Sequence, residues 1–127
     1  MITGIEHLGL MANDPIALAE WYARVLQFRE IFRVEDIPAV FVVGEKEGMI
    51  EFIPCPEGQS LSEKDQRLHL AIAVDDFESA QQRLQEAGVD FPEPPRDIAN
   101  GGKIQFFQDP EGKWLHLVYR PKAPWDT

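Results

Sequence analysis

Polar and apolar residues first alternate along the chain, with Leu8, Leu10 and Ala12 on one side and His7, Gly9 and Met11 on the other. That is the two-residue period of a β-strand. The period then lengthens: Asp14 is a natural N-cap, Pro15 a natural first helical residue, and Leu18, Trp21, Tyr22, Val25 and Leu26 recur at helical spacing. Ile37 to Val43 and Met49 to Ile53 are β-branched or aromatic runs joined by Gly44-Glu45-Lys46-Glu47-Gly48, which predicts a hairpin. A less regular strand over Phe28 to Glu35 completes a strand-helix-strand-strand-strand order.

The same order then returns. His69-Leu70-Ala71-Ile72 follows His7-Leu8-Gly9-Leu10 by 62 residues, and Asp75-Asp76 follows Asn13-Asp14 by the same offset. Leu68, Leu70, Ile72 and Val74 share one predicted strand face, and His69, Ala71 and Ala73 the other. The apolar faces are expected to pack on the two helices, and the faces of histidine and small residues to line a ligand cleft. Asp76 caps a second helix with Phe77, Ala80, Leu84 and Ala87 as its stripe and Gly88 as its stop. A Pro-rich strand over Val89 to Ile98 precedes Lys103 to Gln108 and Trp114 to Tyr119, which flank an Asp109-Pro110-Glu111-Gly112 turn. The pattern predicts an α+β chain of two βαβββ modules: residues 1–54, a polar linker 55–65, residues 66–120, and a tail 121–127 that Trp125 is expected to pin. Together they are expected to form one compact domain.

Charge narrows the partners. The 127 residues carry 12 Lys+Arg against 22 Asp+Glu, a formal charge of −10, which repels nucleic acid and anionic lipid. No apolar run approaches the roughly 20 residues that span a bilayer, and Glu6, His7 and Asp14 interrupt the N-terminal stretch where a signal peptide is apolar. A cytoplasmic location is the expectation. Cys55 is the only cysteine, so no internal disulfide forms.

The last strand of each half holds one polar residue inside an apolar run: Glu51 in Met49-Ile50-Glu51-Phe52-Ile53 and His116 in Trp114-Leu115-His116-Leu117-Val118, 65 residues apart. A carboxylate placed there is costly to bury without a cation, a metal or several donors. All 3 histidines and Glu51 thus fall on two pairs of repeat-equivalent positions, His7 with His69 and Glu51 with His116. Taken singly, each has an ordinary structural role open to it; the joint arrangement points to a shared metal site. Imidazoles and a carboxylate suit zinc, iron, nickel, cobalt or manganese without choosing among them.

The chain resembles the glyoxalase/bleomycin resistance/dioxygenase superfamily, also called the vicinal oxygen chelate superfamily. The matching stretches are Gly4 to Leu10, Ala19 to Tyr22, Val25 to Phe28, Met49 to Phe52, His69 to Asp76 and Phe107 to Trp114. The resemblance implies paired βαβββ modules whose curled, mostly antiparallel sheets surround a cleft with one divalent metal, and a homodimer. It implies His7, Glu51 and His69 as metal ligands, with His116 where the family usually has a glutamate. With His116 there, Glu51 is the candidate catalytic carboxylate, and chemistry that needs two bases is disfavoured. The family's glutathione-gripping arginine and asparagine would fall on Met11 and Cys55, which argues against glyoxalase I itself.

The resemblance therefore implies a metal-dependent lyase or isomerase acting on a small substrate with adjacent oxygens through an enediolate-like intermediate. The alternative is a metal-free binding protein for an antibiotic or aromatic ligand, with Phe41, Phe106, Phe107, Trp114 and Trp125 as its aromatic supply. An extradiol-type dioxygenase ranks third, because three histidines and a glutamate differ from the two-histidine, one-carboxylate iron site.

Overall fold

The structure, a computed structural model, describes residues 1–56 and 65–126. Most of the expected linker, residues 57–64, lies outside the described residues. The chain divides into two compact units, Met1–Leu61 and Ser62–Thr127. The first contains β1 (Leu8–Ala12), α1 (Pro15–Leu26), β2 (Arg29–Arg33), β3 (Val40–Val43) and β4 (Met49–Pro54). The second contains β5 (Leu70–Ala73), α2 (Phe77–Glu86), β6 (Arg96–Ile98), β7 (Gly102–Gln108) and β8 (Trp114–Tyr119), with a 3-10 turn at Ala99–Gly101. Each unit is the expected βαβββ module, and the α+β class follows.

Both four-stranded sheets have one order, β1-β4-β3-β2 and β5-β8-β7-β6. The first and last strands of each module run parallel, and the other pairs are antiparallel. Asp14 and Asp76 cap the helices as expected, their carboxylates accepting from the amides of Ala17 at 3.1 Å and Ser79 at 3.0 Å. Both hairpins form, closed by the Gly44 amide on the Gly48 carbonyl at 3.3 Å and the Asp109 amide on the Lys113 carbonyl at 3.0 Å. Helix α1 ends on Gln27 in the left-handed region (φ 62°), a position where glycine would be unstrained.

One face of each sheet is the core. In the first module Leu18, Tyr22 and Val25 of α1 cover Val40, Val42, Ile50 and Phe52, and the Tyr22 and Phe52 rings meet edge to face at 4.8 Å. In the second, Phe77 and Leu84 of α2 share the interior with Phe107, Leu115 and Leu117. Gln105 is buried among them, accepting a hydrogen bond from Gln81 Nε2 at 2.8 Å and donating one to the Glu93 carbonyl at 3.0 Å.

Several strand bounds and the role of the tail are corrected. Strand β1 starts at Leu8, so His7 stands just before it; likewise β5 starts at Leu70, and Leu68 is 66% exposed rather than packed under a helix. Within its own sheet each is an edge strand with a single neighbour, and its pairing begins at Ile50 of β4 or Leu115 of β8, one residue inside the partner strand. The strand over Val89 to Ile98 shrinks to Arg96–Ile98, because Pro92, Pro94 and Pro95 have no amide hydrogen to donate. Pro38 likewise delays β3 to Val40, and β2 covers only Arg29–Arg33. Trp125 is 70% exposed and lies beneath the Arg120 guanidinium at 5.1 Å, so it does not anchor the tail in a core.

Phe52 and Phe107 are fully enclosed in their respective modules. Phe52→Ala and Phe107→Ala are each expected to cost about 3–5 kcal/mol, read as a fall in the urea midpoint at unchanged slope.

Candidate metal centre

In the first module the site grows from strand register. Gly9 lies opposite Glu51 across the parallel β1–β4 pair, so His7, two residues earlier, shares the Glu51 face. His7 Nε2 stands 3.5 Å from Glu51 Oε1, and His7 Nδ1 donates to Glu6 Oε1 at 2.9 Å. Glu51 also faces Phe41 across β3–β4, and the Phe41 ring meets the His7 ring edge to face at 5.2 Å. With Nδ1–H committed to Glu6, a neutral His7 turns the Nε2 lone pair towards a carboxylate oxygen. Two acceptors facing each other in this way call for a cation or a proton between them.

The second module repeats the construction. Ala71 lies opposite His116 across the parallel β5–β8 pair, and His69 precedes it by two residues. The two imidazole rings lie 4.5 Å apart, tilted by 37°. Phe106, opposite His116 across β7–β8, meets His69 at 5.4 Å and His116 at 5.0 Å, edge to face in both cases. His69 Nδ1 donates to the Gln66 carbonyl at 2.7 Å, and His116 Nδ1 donates to the Leu117 carbonyl at 3.0 Å. In the neutral rings this leaves both Nε2 atoms with their lone pairs. Burial, and then the neighbouring His69, hold His116 below its ordinary 6.5, which favours the neutral, ligating form.

Each module therefore holds one of the predicted pairs, His7 with Glu51 and His69 with His116, on the sheet face opposite its helix. Among the described residues no group of three or more His, Cys, Asp or Glu side chains is arranged to hold a metal ion. Each module by itself offers two donors. Phe41 and Phe106, which the sequence presents only as general aromatic supply, are the walls of the two pairs. They stand 65 residues apart, the offset of Glu51 and His116, and that coincidence was the available signal. Glu6 and the Gln66 carbonyl, which orient the two leading histidines, had none.

A model of the glyoxalase/bleomycin resistance protein/dioxygenase superfamily matches residues 4–117, and the chain belongs to that superfamily. Solved structures share the fold. A superfamily member from Sphaerobacter thermophilus DSM 20745 is 20% identical with a TM-score of 0.77, covering 94% of this chain and 98% of its own. The fosfomycin resistance protein FosX from Mesorhizobium loti is 22% identical with a TM-score of 0.70, covering 94% of each chain. A protein described as oxidase ChaP-H2 is 23% identical with a TM-score of 0.72, covering 97% of this chain and 98% of its own.

The sign of the His116 effect on stability follows from its lowered pKa. The unfolded chain takes up a proton at the ordinary value while the folded chain resists it, so the contribution is complete above the ordinary value. It is lost as pH falls through the lowered one. In chelator-treated protein the urea midpoint is expected to fall more steeply from about pH 7.5 to about pH 5 in wild type than in His116→Gln.

Proposed function

We propose that His7, Glu51, His69 and His116 hold one divalent metal ion and that the chain is a lyase or isomerase acting on a small substrate with adjacent oxygens. The observation that carries this reading is the orientation of the histidines. In all three, Nδ1–H is committed to an oxygen acceptor, which leaves Nε2 as the donor atom, the arrangement that second-layer acceptors impose on metal-binding imidazoles. Glu51 Oε1 facing the His7 lone pair adds the carboxylate. Three imidazoles and a carboxylate fit zinc, iron, nickel, cobalt or manganese.

A divalent ion bound there supplies a Lewis acid that polarises the adjacent oxygens of a substrate and makes the neighbouring C–H acidic. Glu51 is the base: its carboxylate, half-buried against Phe41 and His7, takes the proton and returns it in an isomerisation. His7, His69 and His116 hold position through their Nδ1 hydrogen bonds. Phe41 and Phe106 exclude water from one side of each pair. Membership of a superfamily named for glyoxalases and dioxygenases supports metal chemistry, and the departure of His116 from the usual glutamate supports a single-base reaction.

A second reading, a metal-free binding protein for an aromatic ligand, is favoured by Phe32, which is 59% exposed and meets Phe41 at 6.0 Å. Superfamily members bind small molecules, and exposed Leu8, Met11, Ile31, Phe32 and Ile37 support a homodimer. Sedimentation velocity is expected to give the dimer mass; a monomer at micromolar concentration would count against it.

Elemental analysis of untagged protein is expected to find about one divalent ion per chain, lost in His7→Ala and in His69→Ala and retained in His116→Glu. Full occupancy in both alanine variants rejects the four-ligand site. A protein that stays metal-free after reconstitution, yet shows tryptophan quenching by a small aromatic ligand, establishes the second reading instead.

A further inference from the structure

A chain of hydrogen bonds crosses the second module from its helix to the His69 ring. Gln81 Nε2 on α2 donates to Gln105 Oε1 at 2.8 Å, and Gln105 Nε2 donates to the Glu93 carbonyl at 3.0 Å. The Glu93 carboxylate accepts from Gln66 Nε2 at 3.0 Å and from Arg96 Nη2 at 2.6 Å. Arg96 Nη2 also reaches Gln66 Oε1 at 3.4 Å, and the Gln66 carbonyl accepts from His69 Nδ1 at 2.7 Å. Every amide orientation is forced: a carbonyl or carboxylate must receive an N–H, so Gln66 and Gln105 each have one workable flip.

The first module forms the same strand order with an apolar residue at the position equivalent to Gln105. Gln105 is 4% exposed on a face otherwise built from Phe107, Leu115 and Leu117, where a glutamine must be satisfied to be tolerated. Its counterpart in the first module, opposite Phe52 as Gln105 is opposite Leu117, is Val40, wholly buried and apolar. The first module orients His7 through the adjacent carboxylate of Glu6, whereas His69 depends on a main-chain carbonyl in the turn at Asp65–Leu68. The turn is closed by the Leu68 amide on the Asp65 carbonyl at 3.2 Å and the Arg67 amide on Asp65 Oδ1 at 2.9 Å, and Glu93 and Arg96 brace the Gln66 side chain within it. Arg96 in turn lies over Phe106 at 5.2 Å, the ring that walls both histidines.

We propose that Gln66, Glu93 and Gln105 are positioning residues that lock His69 in the Nδ1–H tautomer and so make Nε2 its ligating atom. The purpose of the lock rests on the metal-site reading above; its existence does not. Histidine nitrogens of the metal-free protein, followed by two-bond proton–nitrogen correlation at mildly alkaline pH, report each tautomer directly. Wild type is expected to show His69 almost wholly as Nδ1–H. Glu93→Ala and Gln105→Leu are expected to give mixed His69 tautomers with His7 unchanged, and Glu93→Gln, which keeps an oxygen for Gln66 Nε2, to restore the wild-type pattern. Cobalt(II) affinity, read from its visible absorption, is expected to fall roughly tenfold to a hundredfold in the first two variants.

A His69 tautomer that is unchanged in Glu93→Ala, or that is not Nδ1–H in wild type, overturns the proposal. If Gln105→Leu misfolds by circular dichroism, the more exposed Glu93→Ala decides alone. If the tautomers respond as expected while no variant and no wild type binds cobalt(II), the positioning role stands and the metal-site reading is the one that fails.

Discussion

The candidate centre depends on a parallel strand pair inside each module. Parallel neighbours cannot be joined by a tight turn, so a helix and a hairpin intervene between β1 and β4 and again between β5 and β8. The register of that pair then does the chemical work. Gly9 opposite Glu51 and Ala71 opposite His116 bring a histidine from before the first strand beside a polar residue in the middle of the last one. A slip of one residue would turn Glu51 and His116 into the helix-covered core and Phe52 and Leu117 out of it. Burial of Phe52 and Leu117 is therefore what sets the geometry of the histidine pairs.

The small residues between the donors follow from the same register. Gly9 and Ala71 face Glu51 and His116 directly, so the strand partner contributes almost no side chain there. A Cβ on Gly9 would already stand 3.2 Å from Ile53 Cδ1. Phe41 and Phe106 close the opposite flank from the antiparallel side, which leaves each pair bounded by an aromatic edge and by glycine or alanine. The two modules then diverge in how they orient their first histidine. One uses a carboxylate one residue away, and the other uses a turn carbonyl braced from Glu93 and Arg96.

Much of the fold was legible in the chain because its signals are local. The Asp14-Pro15 and Asp76 caps, the glycine-bounded hairpin loop and the change from two-residue to helical period each depend on residues within one element. Strand ends were less legible where proline or an edge position cut the ladder short, as at β3, β5 and β6. The donors were legible for a different reason: a duplicated pattern compares the chain with itself, and all 3 histidines fall on its matching points.

The sequence by itself determined the two βαβββ modules, their caps and hairpins, and the identity of His7, Glu51, His69 and His116 as the residues to watch. Tertiary structure alone decided which nitrogen of each ring is committed, that Phe41 and Phe106 wall the pairs, and that a glutamine chain reaches His69 from α2. Periodicity assigns a residue to a face. A hydrogen bond between Gln66 and Glu93, 27 residues apart, depends on how a turn and a proline-rich segment meet in space, and no local pattern encodes that meeting.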